Sequence, residues 1–282
     1  MMKPSPSEIE RLVRMALDED TPWGDITSES LIPAAARVTA DLAAREPGVL
    51  CGEDIFCAAM SLTDPAISTE FHLHDGDRFA KGDVLATIAG SARTVLQAER
   101  VALNFTQRLS GIATLTARYV AETSGTKARI VDTRKTTPGL RLLERYAVRC
   151  GGGVNHRFSL SDAVMAKDNH LAVLGTSLAE AIREARATLP HTTHFEVEVD
   201  SLDQIDAVLA VGVDTIMLDN FTTEELRAGV AKMAGRALVE ASGGVTLERI
   251  REIAATGVDI ISVGALTHSV RALDLGLDFR SV

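Results

Sequence analysis

The segment from Arg129 to Arg157 concentrates positive charge in a chain that is acidic as a whole. It holds seven arginine or lysine side chains against two acids, whereas the full sequence has a formal net charge of -10. Three glycines and a His-Arg pair lie at its end. Arginine binds carboxylate or phosphate groups through two parallel hydrogen bonds, and lysine adds a point charge. The segment therefore predicts a site for a ligand with several negative charges.

Five cationic side chains follow predicted strands or lie in glycine-bounded loops, and these form the predicted site: Arg134, Lys135, His156, Arg157 and Lys167. Five cations gathered at one place repel one another unless a ligand with several negative charges binds between them. Three other arginines, at positions 141, 145 and 149, are spaced four apart on a predicted helix whose inward residues are Leu140, Leu143 and Ala147. We predict that this arginine stripe is a solvated or subunit-facing surface, with a role in the site as the alternative.

Carboxylates are predicted close to the same ligand. Glu196 and Glu198 share one face of the strand HFEVEVD, and Asp219 ends the strand TIMLDN. Such groups suit a divalent metal, sugar hydroxyls or a developing positive charge. The alternative is a layer of salt bridges inside the fold, chiefly for Glu196.

Glycines after the last two predicted strands indicate phosphate binding. ALVEASGGVT contains Ser242, Gly243 and Gly244, and IISVGALTHS contains Gly264 and His268. Glycine lets backbone N–H groups approach a phosphate, and a helix N-terminus adds a favourable dipole. One such loop alone could be an ordinary turn, but two consecutive loops favour a phosphate site.

Strand and helix patterns alternate after residue 125, which predicts a parallel sheet. The predicted strands are ARIVDT, DAVMAKD, HFEVEVD, TIMLDN, ALVEAS and IISVGAL, and the segments between several of them open with Ser or Thr as a helix cap does. A barrel is favoured over an open sheet because it brings all the polar strand ends to one mouth. About six strands can be counted, which is fewer than eight.

The first hundred residues have a different character. A helix is predicted over PSEIERLVRMALDED, then short strands with tight turns at DGD and KGD. A long helix is predicted from TVLQAERVALNF onward, and Gly111 is expected to break or bend it.

Composition excludes several functions. Aromatic residues make up 4% and the isoelectric point is near 5.2, which argues against a nucleic-acid partner. No run of 18 apolar residues predicts a membrane span, and the first residues do not resemble a signal peptide. Cys51, Cys57 and Cys150 lack CxxC spacing, so neither a disulfide framework nor a zinc site is indicated. We expect a cytoplasmic protein.

The sequence resembles the quinolinate phosphoribosyltransferases, the decarboxylating nicotinate-nucleotide pyrophosphorylases of NAD synthesis. The matching stretches run in the family's order over most of residues 95 to 275: ERVALNFTQRLSGIATLT, DTRKTTPGLRLLERYAVRCGGGVNHR, KDNH, EVEVDS, MLDN, EASGGV and GALTHS. The DTRKTTPG, GGGxNHR and KDNH series is highly specific, whereas residues 1 to 95 carry no motif of that kind.

The resemblance implies an α/β fold, with an N-terminal α/β sandwich-like domain and an incomplete α/β barrel of six or seven strands. The expected domains are residues 1–105, with 270–282 packed against them, and the catalytic barrel at 106–269. The implied reaction is the Mg²⁺-dependent transfer of phosphoribosyl from phosphoribosyl pyrophosphate to quinolinate. It gives nicotinate mononucleotide, pyrophosphate and carbon dioxide, in a homodimer or higher homo-oligomer with shared active sites.

The resemblance also implies roles for individual residues. Arg134, Lys135, His156, Arg157 and Lys167 would hold the two quinolinate carboxylates, with Arg100 entering from the neighbouring subunit. Glu198 and Asp219 would face the ribose and its Mg²⁺, directly or indirectly, and act with Lys135 in catalysis. The 5′-phosphate would be held by Ser242, Gly243, Gly244, Gly264 and His268.

Three other functions are weighed against this one. A molybdenum-transport-associated relative shares the fold but departs from the DTRKT and KDNH patterns that this chain retains. A non-catalytic sensor of a phosphorylated anion would not need Glu198 and Asp219 opposite the basic groups. A nicotinate-using phosphoribosyltransferase would need a pocket for one carboxylate rather than two.

Overall fold

The structure is a computed structural model that describes residues 3–167, 170, 173 and 177–280. Its helices are α1 (Pro6–Asp20), α2 (Ile26–Leu31), α3 (Glu53–Thr63), α4 (Ala92–Glu122), α5 (Arg141–Cys150), α6 (Leu178–Thr188), α7 (Ile205–Ala210), α8 (Thr223–Met233), α9 (Ile250–Ala254) and α10 (Ala265–His268). Its strands are β1 (Arg37–Ala44), β2 (Gly48–Val49), β3 (Ser68–Phe71), β4 (Arg78–Phe79), β5 (Val84–Ser91), β6 (Arg129–Val131), β7 (Val164–Ala166), β8 (Phe195–Val199), β9 (Thr215–Asp219), β10 (Leu238–Ser242), β11 (Ile260–Ser262) and β12 (Leu275–Phe279).

The chain divides into two compact units. One comprises the described parts of Met1–Ala117, Thr137–Gly152 and Ser269–Val282, and the other comprises those of Arg118–Thr136 and Gly153–His268. Each unit has a sheet of its own. The predicted domain limits remain predictions. Within the described residues, no helix is long and apolar enough to cross a membrane.

The first unit is built on antiparallel strands. Strands β12, β1, β5 and β3 form one sheet in that order, and β2 pairs with β4. Leu42 of β1 and Ile88 of β5 are fully buried, as is Phe56 of α3. The helix predicted first in the chain is α1. The turns predicted at DGD and KGD are confirmed, because Gly76 and Gly82 have φ angles of 98° and 93°, which favour glycine.

Helix α4 confirms the long helix and corrects the prediction about Gly111. The helix continues through this residue, so the expected break is wrong. A Cβ atom at position 111 would lie 2.3 Å from the carbonyl oxygen of Arg271. Glycine is therefore needed here because another segment of backbone passes against the helix.

Helix α5 corrects the prediction for the arginine stripe. Arg145 is only 8% exposed and Glu144 is fully buried, so a solvated surface is wrong for the middle of the stripe. The predicted inward residues Leu143 and Ala147 are buried. The prediction was wrong because polar side chains of α5 are buried as well as its apolar ones. One of them, Glu144, forms an ion pair of 2.6 Å with Arg108.

The second unit contains a six-stranded sheet in which every pair of neighbours is parallel. The order is β6-β11-β10-β9-β8-β7, and all six strands lie in the predicted segments. Alternate residues of all six strands line two cavities on one side of the sheet, so the sheet curls around them. On the edge of β6 that does not pair with β11, an isolated parallel bridge joins Val131 to Val154. The predicted incomplete α/β barrel is confirmed.

Candidate active site

A cavity of about 300 Å³ lies at the carboxyl ends of the barrel strands. Eight predicted site residues line it: Arg134, Lys135, His156, Arg157, Lys167, Glu198, Asp219 and Ser242. They come from loops or strand ends far apart in sequence, and the parallel sheet brings them together because its carboxyl ends share one edge. The convergence expected from the sequence is therefore present within the second unit.

The other predicted residues lie near this cavity, in the first unit, or outside the described part. A Cβ atom at Gly264 would lie 3.0 Å from His268 Nε2 and 3.0 Å from Lys135 Cδ, so these three residues form one cluster. Gly243 and Gly244 have positive φ angles of 81° and 57°. Arg100 is exposed on α4 in the first unit, and its entry into a partner's site remains a prediction. Within KDNH, residues 168 and 169 lie outside the described residues.

The loop after β6 presents Arg134 and Lys135 through its own hydrogen bonds. The backbone N–H of Lys135 donates to Thr133 Oγ1 at 3.1 Å, and the N–H of Thr136 donates to the Arg134 carbonyl at 2.9 Å. The hydroxyl of Thr267 donates to the Lys135 carbonyl at 2.7 Å. This loop is thereby attached to α10, and Arg134 and Lys135 line the cavity.

Asp132 fixes the loop that carries His156 and Arg157. Its buried carboxylate accepts the His156 backbone N–H at 2.8 Å and the Asn155 side-chain amide at 2.5 Å. Arg157 donates from Nη1 to the Ala163 carbonyl at 2.8 Å. Burial, with the nearby charge of Arg134, lowers the pKa of Arg157. Two guanidinium groups that repel each other favour an anionic ligand between or beside them.

His156 forms a buried charged layer with Glu196 of β8 and Glu240 of β10, the two strands on either side of β9. Its Nε2 is 3.2 Å from Glu196 and 3.4 Å from Glu240, whose side chains are at most 4% exposed. Burial acts to lower the pKa of His156, but hydrogen bonds to the two carboxylates outweigh it and raise that pKa to about 10. Burial also raises the pKa of Glu196. The salt-bridge layer considered for Glu196 is therefore present.

The tautomer of His156 follows from a backbone contact. In the neutral imidazole, the N–H of Arg157 donates to His156 Nδ1 at 2.7 Å, which places the lone pair on Nδ1 and the proton on Nε2, toward the carboxylates. Below its raised pKa the imidazole gains a second proton, and the Nε2 proton still faces the two carboxylates. Although the ligand atoms of the three side chains lie within 4.8 Å of one another, this tautomer leaves Nε2 without a lone pair for a metal.

Opposite charges also meet on the cavity wall. Lys167 Nζ contacts Glu198 Oε2 in a close ion pair. Asp219 ends β9 two residues beyond Met217, and both face the cavity. The wall thus carries both carboxylates and guanidinium and ammonium groups. It can bind an anion and stabilise a developing positive charge.

A second cavity, of about 400 Å³, lies further toward the amino ends of the strands, and the sequence did not indicate it. Arg129, His194, Thr215 and Leu238 contribute to its lining, and three residues line both cavities: His156, Arg157 and Glu240. The charged layer around His156 therefore separates two spaces inside the barrel.

Five lining residues were not predicted; one is Thr133, next to Arg134, and the other four had a sequence signal. These four are Met165, Met217, Glu240 and Ser262. Each lies two positions before a predicted site residue on the same strand or strand end, and residues two apart on a strand share a face. Extending every strand end by this period would have found them.

A buried cysteine pair in the first unit was also not foreseen. Ligand atoms of Cys51, Cys150 and Asp75 lie within 4.8 Å of one another. Asp75 already accepts backbone N–H groups from Gly52 and Glu53, at 2.8 and 3.1 Å, and the Tyr146 hydroxyl at 2.9 Å. These bonds satisfy its carboxylate without a metal.

The fold and the site define a class: an α/β-barrel protein with a separate antiparallel unit, whose strand ends form a basic cavity with carboxylates on its wall. Comparison with known proteins makes this specific. The quinolinate phosphoribosyltransferase C-terminal domain matches residues 112–278, and the N-terminal domain of the same family matches residues 25–110. The chain belongs to the quinolinate phosphoribosyltransferase family.

Individual relatives agree over nearly the whole length. A nicotinate-nucleotide pyrophosphorylase [carboxylating] of Mycobacterium leprae is 47% identical over 275 residues, which is 94% of this chain and 95% of that protein. A probable enzyme of the same name from Bacillus subtilis is 42% identical, over 96% and 93% of the two chains. The solved structure of NadC from Streptococcus pyogenes matches with a TM-score of 0.94 and 42% identity, covering 100% of both chains.

Proposed function

We propose that this protein transfers the phosphoribosyl group of phosphoribosyl pyrophosphate to quinolinate with loss of carbon dioxide, giving nicotinate mononucleotide and pyrophosphate for NAD synthesis. The observation that carries the proposal is the cavity itself, where Arg134, Lys135, Arg157 and Lys167 converge. Quinolinate has two adjacent carboxylates, and this number of cations suits a dianion. The family's matched domains support the same reaction.

The carboxylates suit the transfer step. As the bond from ribose C1′ to pyrophosphate breaks, positive charge develops at C1′, and the quinolinate ring nitrogen forms the new bond. Glu198 and Asp219 would stabilise that charge. The bond from ring C2 to its carboxylate then breaks. Its electron pair remains on C2 beside the positively charged ring nitrogen, carbon dioxide leaves, and a proton takes its place.

The predicted phosphate residues suit the other end of the sugar. Ser242 ends β10 and the two glycines 243 and 244 follow it, while Gly264 precedes α10 and His268 ends it. Backbone N–H groups at such loops bind phosphate oxygens. Lys135 Cδ would lie 3.0 Å from a Cβ atom at Gly264, so its ammonium group would be able to reach the proposed phosphate as well as quinolinate.

The donor set fits Mg²⁺ that arrives with the pyrophosphate. Mg²⁺ binds through one or two carboxylates plus substrate phosphates rather than in a cage of protein ligands. Asp219 would approach it directly or through water, whereas Glu198 is engaged with Lys167. When bound there, Mg²⁺ would supply positive charge that offsets the negative charge of the pyrophosphate.

The assembly and the location are proposed on narrower grounds. A homodimer or higher homo-oligomer would bring Arg100 of one chain to the site of another. Cys51, Cys57 and Cys150 are all free thiols, which fits a reducing compartment such as the cytoplasm.

One assay tests the function. Purified protein is incubated with Mg²⁺, phosphoribosyl pyrophosphate and either quinolinate or nicotinate, and carbon dioxide and pyrophosphate are measured. We expect turnover of quinolinate and little of nicotinate, because nicotinate has one carboxylate and forms fewer charge-assisted hydrogen bonds with the basic side chains of the cavity. Equal rates on both would refute the assignment. Binding of both substrates without turnover would favour the sensor.

A further inference from the structure

Asn220 adopts a backbone conformation that few residues tolerate, at the point where β9 leaves the cavity. Among the described residues other than glycine, only Asn220 and Ala234 have positive φ angles, of 60° and 47°. Asparagine is one of the side chains that accepts this region, although it remains uncommon. The turn directly follows Asp219, which lines the cavity.

Two hydrogen bonds connect Asn220 to both neighbouring strand ends. Its side-chain Nδ2 donates to Asp219 Oδ2 at 2.7 Å, and its backbone N–H donates to the Ser242 carbonyl at 2.9 Å. A carboxylate can only accept, so the orientation of the amide group is fixed by this contact. Asp219 and Ser242 are partners in the register of β9 and β10.

The same side chain packs against the glycine loop. A Cβ atom at Gly243 would lie 2.2 Å from Asn220 Oδ1 and 2.5 Å from its Cγ, and Gly243 itself has a φ of 81°. Position 243 is thus restricted to glycine by its conformation and by the Asn220 side chain. One residue therefore contacts the carboxylate at the end of β9 and the loop after β10.

We infer that Asn220 is a positioning residue for phosphoribosyl pyrophosphate. It holds the Asp219 carboxylate and the Gly243–Gly244 backbone in one mutual arrangement, so that the ribose and its 5′-phosphate bind together. Quinolinate binding, which depends on the cations of other loops, does not need it. This inference rests on the proposed function, since it takes the roles of Asp219 and the glycine loop from there.

Three variants distinguish the contribution of the Asn220 side chain from that of its backbone conformation. Asn220→Gly keeps the left-handed turn and removes the amide and its packing. Asn220→Asp keeps the size and replaces the donor to Asp219 by a carboxylate. Ala234→Gly is the matched control, because it makes the same kind of change at the other left-handed residue, at the end of α8. Initial rates are measured with each substrate varied, and binding of ribose 5-phosphate and of quinolinate is measured by calorimetry.

We expect the KM for phosphoribosyl pyrophosphate to rise about tenfold in Asn220→Gly and further in Asn220→Asp, with ribose 5-phosphate binding weakened in parallel. Quinolinate affinity should stay within about twofold, and Ala234→Gly should match the wild type. The inference would be overturned if Asn220→Gly kept the wild-type KM and the wild-type affinity for ribose 5-phosphate. It would also be overturned if the variant lost affinity for both substrates equally. Failure of the wild type to turn over quinolinate would refute the function alone, because the binding measurements still test Asn220.

Discussion

At the scale of single residues, the cavity wall combines cationic and anionic side chains at close range. Arg157 is partly buried and repelled by Arg134, while Lys167 already has Glu198 as a partner. Arg134 is exposed on its loop, so removing its side chain leaves no cavity in the core. An exposed cation that lines the cavity can contact a substrate there.

Replacing Arg134 by alanine should therefore weaken quinolinate binding and leave stability unchanged. A lost hydrogen bond between charged groups costs about 1.5–3 kcal/mol, so affinity should fall at least about tenfold. Calorimetric titration measures the affinity, and thermal unfolding measures the stability. Arg227→Ala, which removes an exposed arginine on α8, is the control and should change neither. Unchanged affinity in Arg134→Ala would contradict the proposed pocket.

His156 and its glutamates should make stability depend on pH. The folded chain holds the pKa of His156 at about 10, and that of Glu196 is also raised, so the folded state retains protons that the unfolded state releases. The contribution of His156 is complete below the pKa of an unfolded imidazole, about 6.5, and is lost as pH rises through about 10. The free energy of unfolding should fall between pH 7 and pH 10.

Denaturant titrations of the wild type and of His156→Gln at both pH values measure this dependence. The variant should be less stable at pH 7 and should lose less stability on going to pH 10, because it has no imidazole proton to release. Identical pH dependence in the two proteins would show that the buried layer does not hold the additional proton.

At the scale of secondary structure, two glycines inside helices differ in what surrounds them. At Gly111 the obstacle to a Cβ is a backbone carbonyl at 2.3 Å, whereas at Gly229 of α8 it is the flexible Leu218 Cδ1 at 2.7 Å. Backbone cannot move aside as a side-chain end can. The same substitution should therefore have a larger cost at Gly111 than at Gly229.

Gly111→Ala should destabilise the protein by roughly 1–3 kcal/mol through overpacking. Gly229→Ala should be close to neutral, because the gain in helix propensity, about 1 kcal/mol, offsets the small movement of Leu218. Chemical denaturation of both variants measures the difference. Equal loss in both would mean that the close approach of Arg271 to α4 does not constrain position 111.

Elements that depend on local sequence could be predicted, whereas those that depend on contacts between distant residues could not. All six barrel strands followed from local patterns, and Ser177 and Thr222 form the predicted helix caps with complete capping boxes. Ser201 and Thr246 precede short 3-10 turns and make no side-chain cap bond, since local sequence does not determine which turn type begins a helix. Contacts between distant segments, such as that of Glu240 with His156, could not be predicted from the sequence, because they depend on strand register and on which side chains are buried.

At the scale of the whole molecule, the net charge of -10 and the basic cavity have opposite signs. An acidic exterior repels anionic substrates at long range, so the local field of the cavity must overcome it within about a Debye length, near 8 Å at physiological ionic strength. Additional cations from a neighbouring subunit would strengthen that field. The predicted role of Arg100 belongs at this scale, because it would make the assembly rather than the single chain the catalytic unit.

The sharing of sites can be tested with two inactive variants. In a two-fold dimer each site would combine Arg134 of one chain with Arg100 of the other. Arg100→Ala and Arg134→Ala should then each be nearly inactive, yet a mixed dimer would have one site with both substitutions and one with neither. Random mixing makes about half of the dimers mixed, so roughly a quarter of wild-type activity should return after co-refolding. Subunit exchange is verified by native mass spectrometry with one variant isotopically labelled. If exchange occurs and no activity returns, Arg100 does not act across the interface.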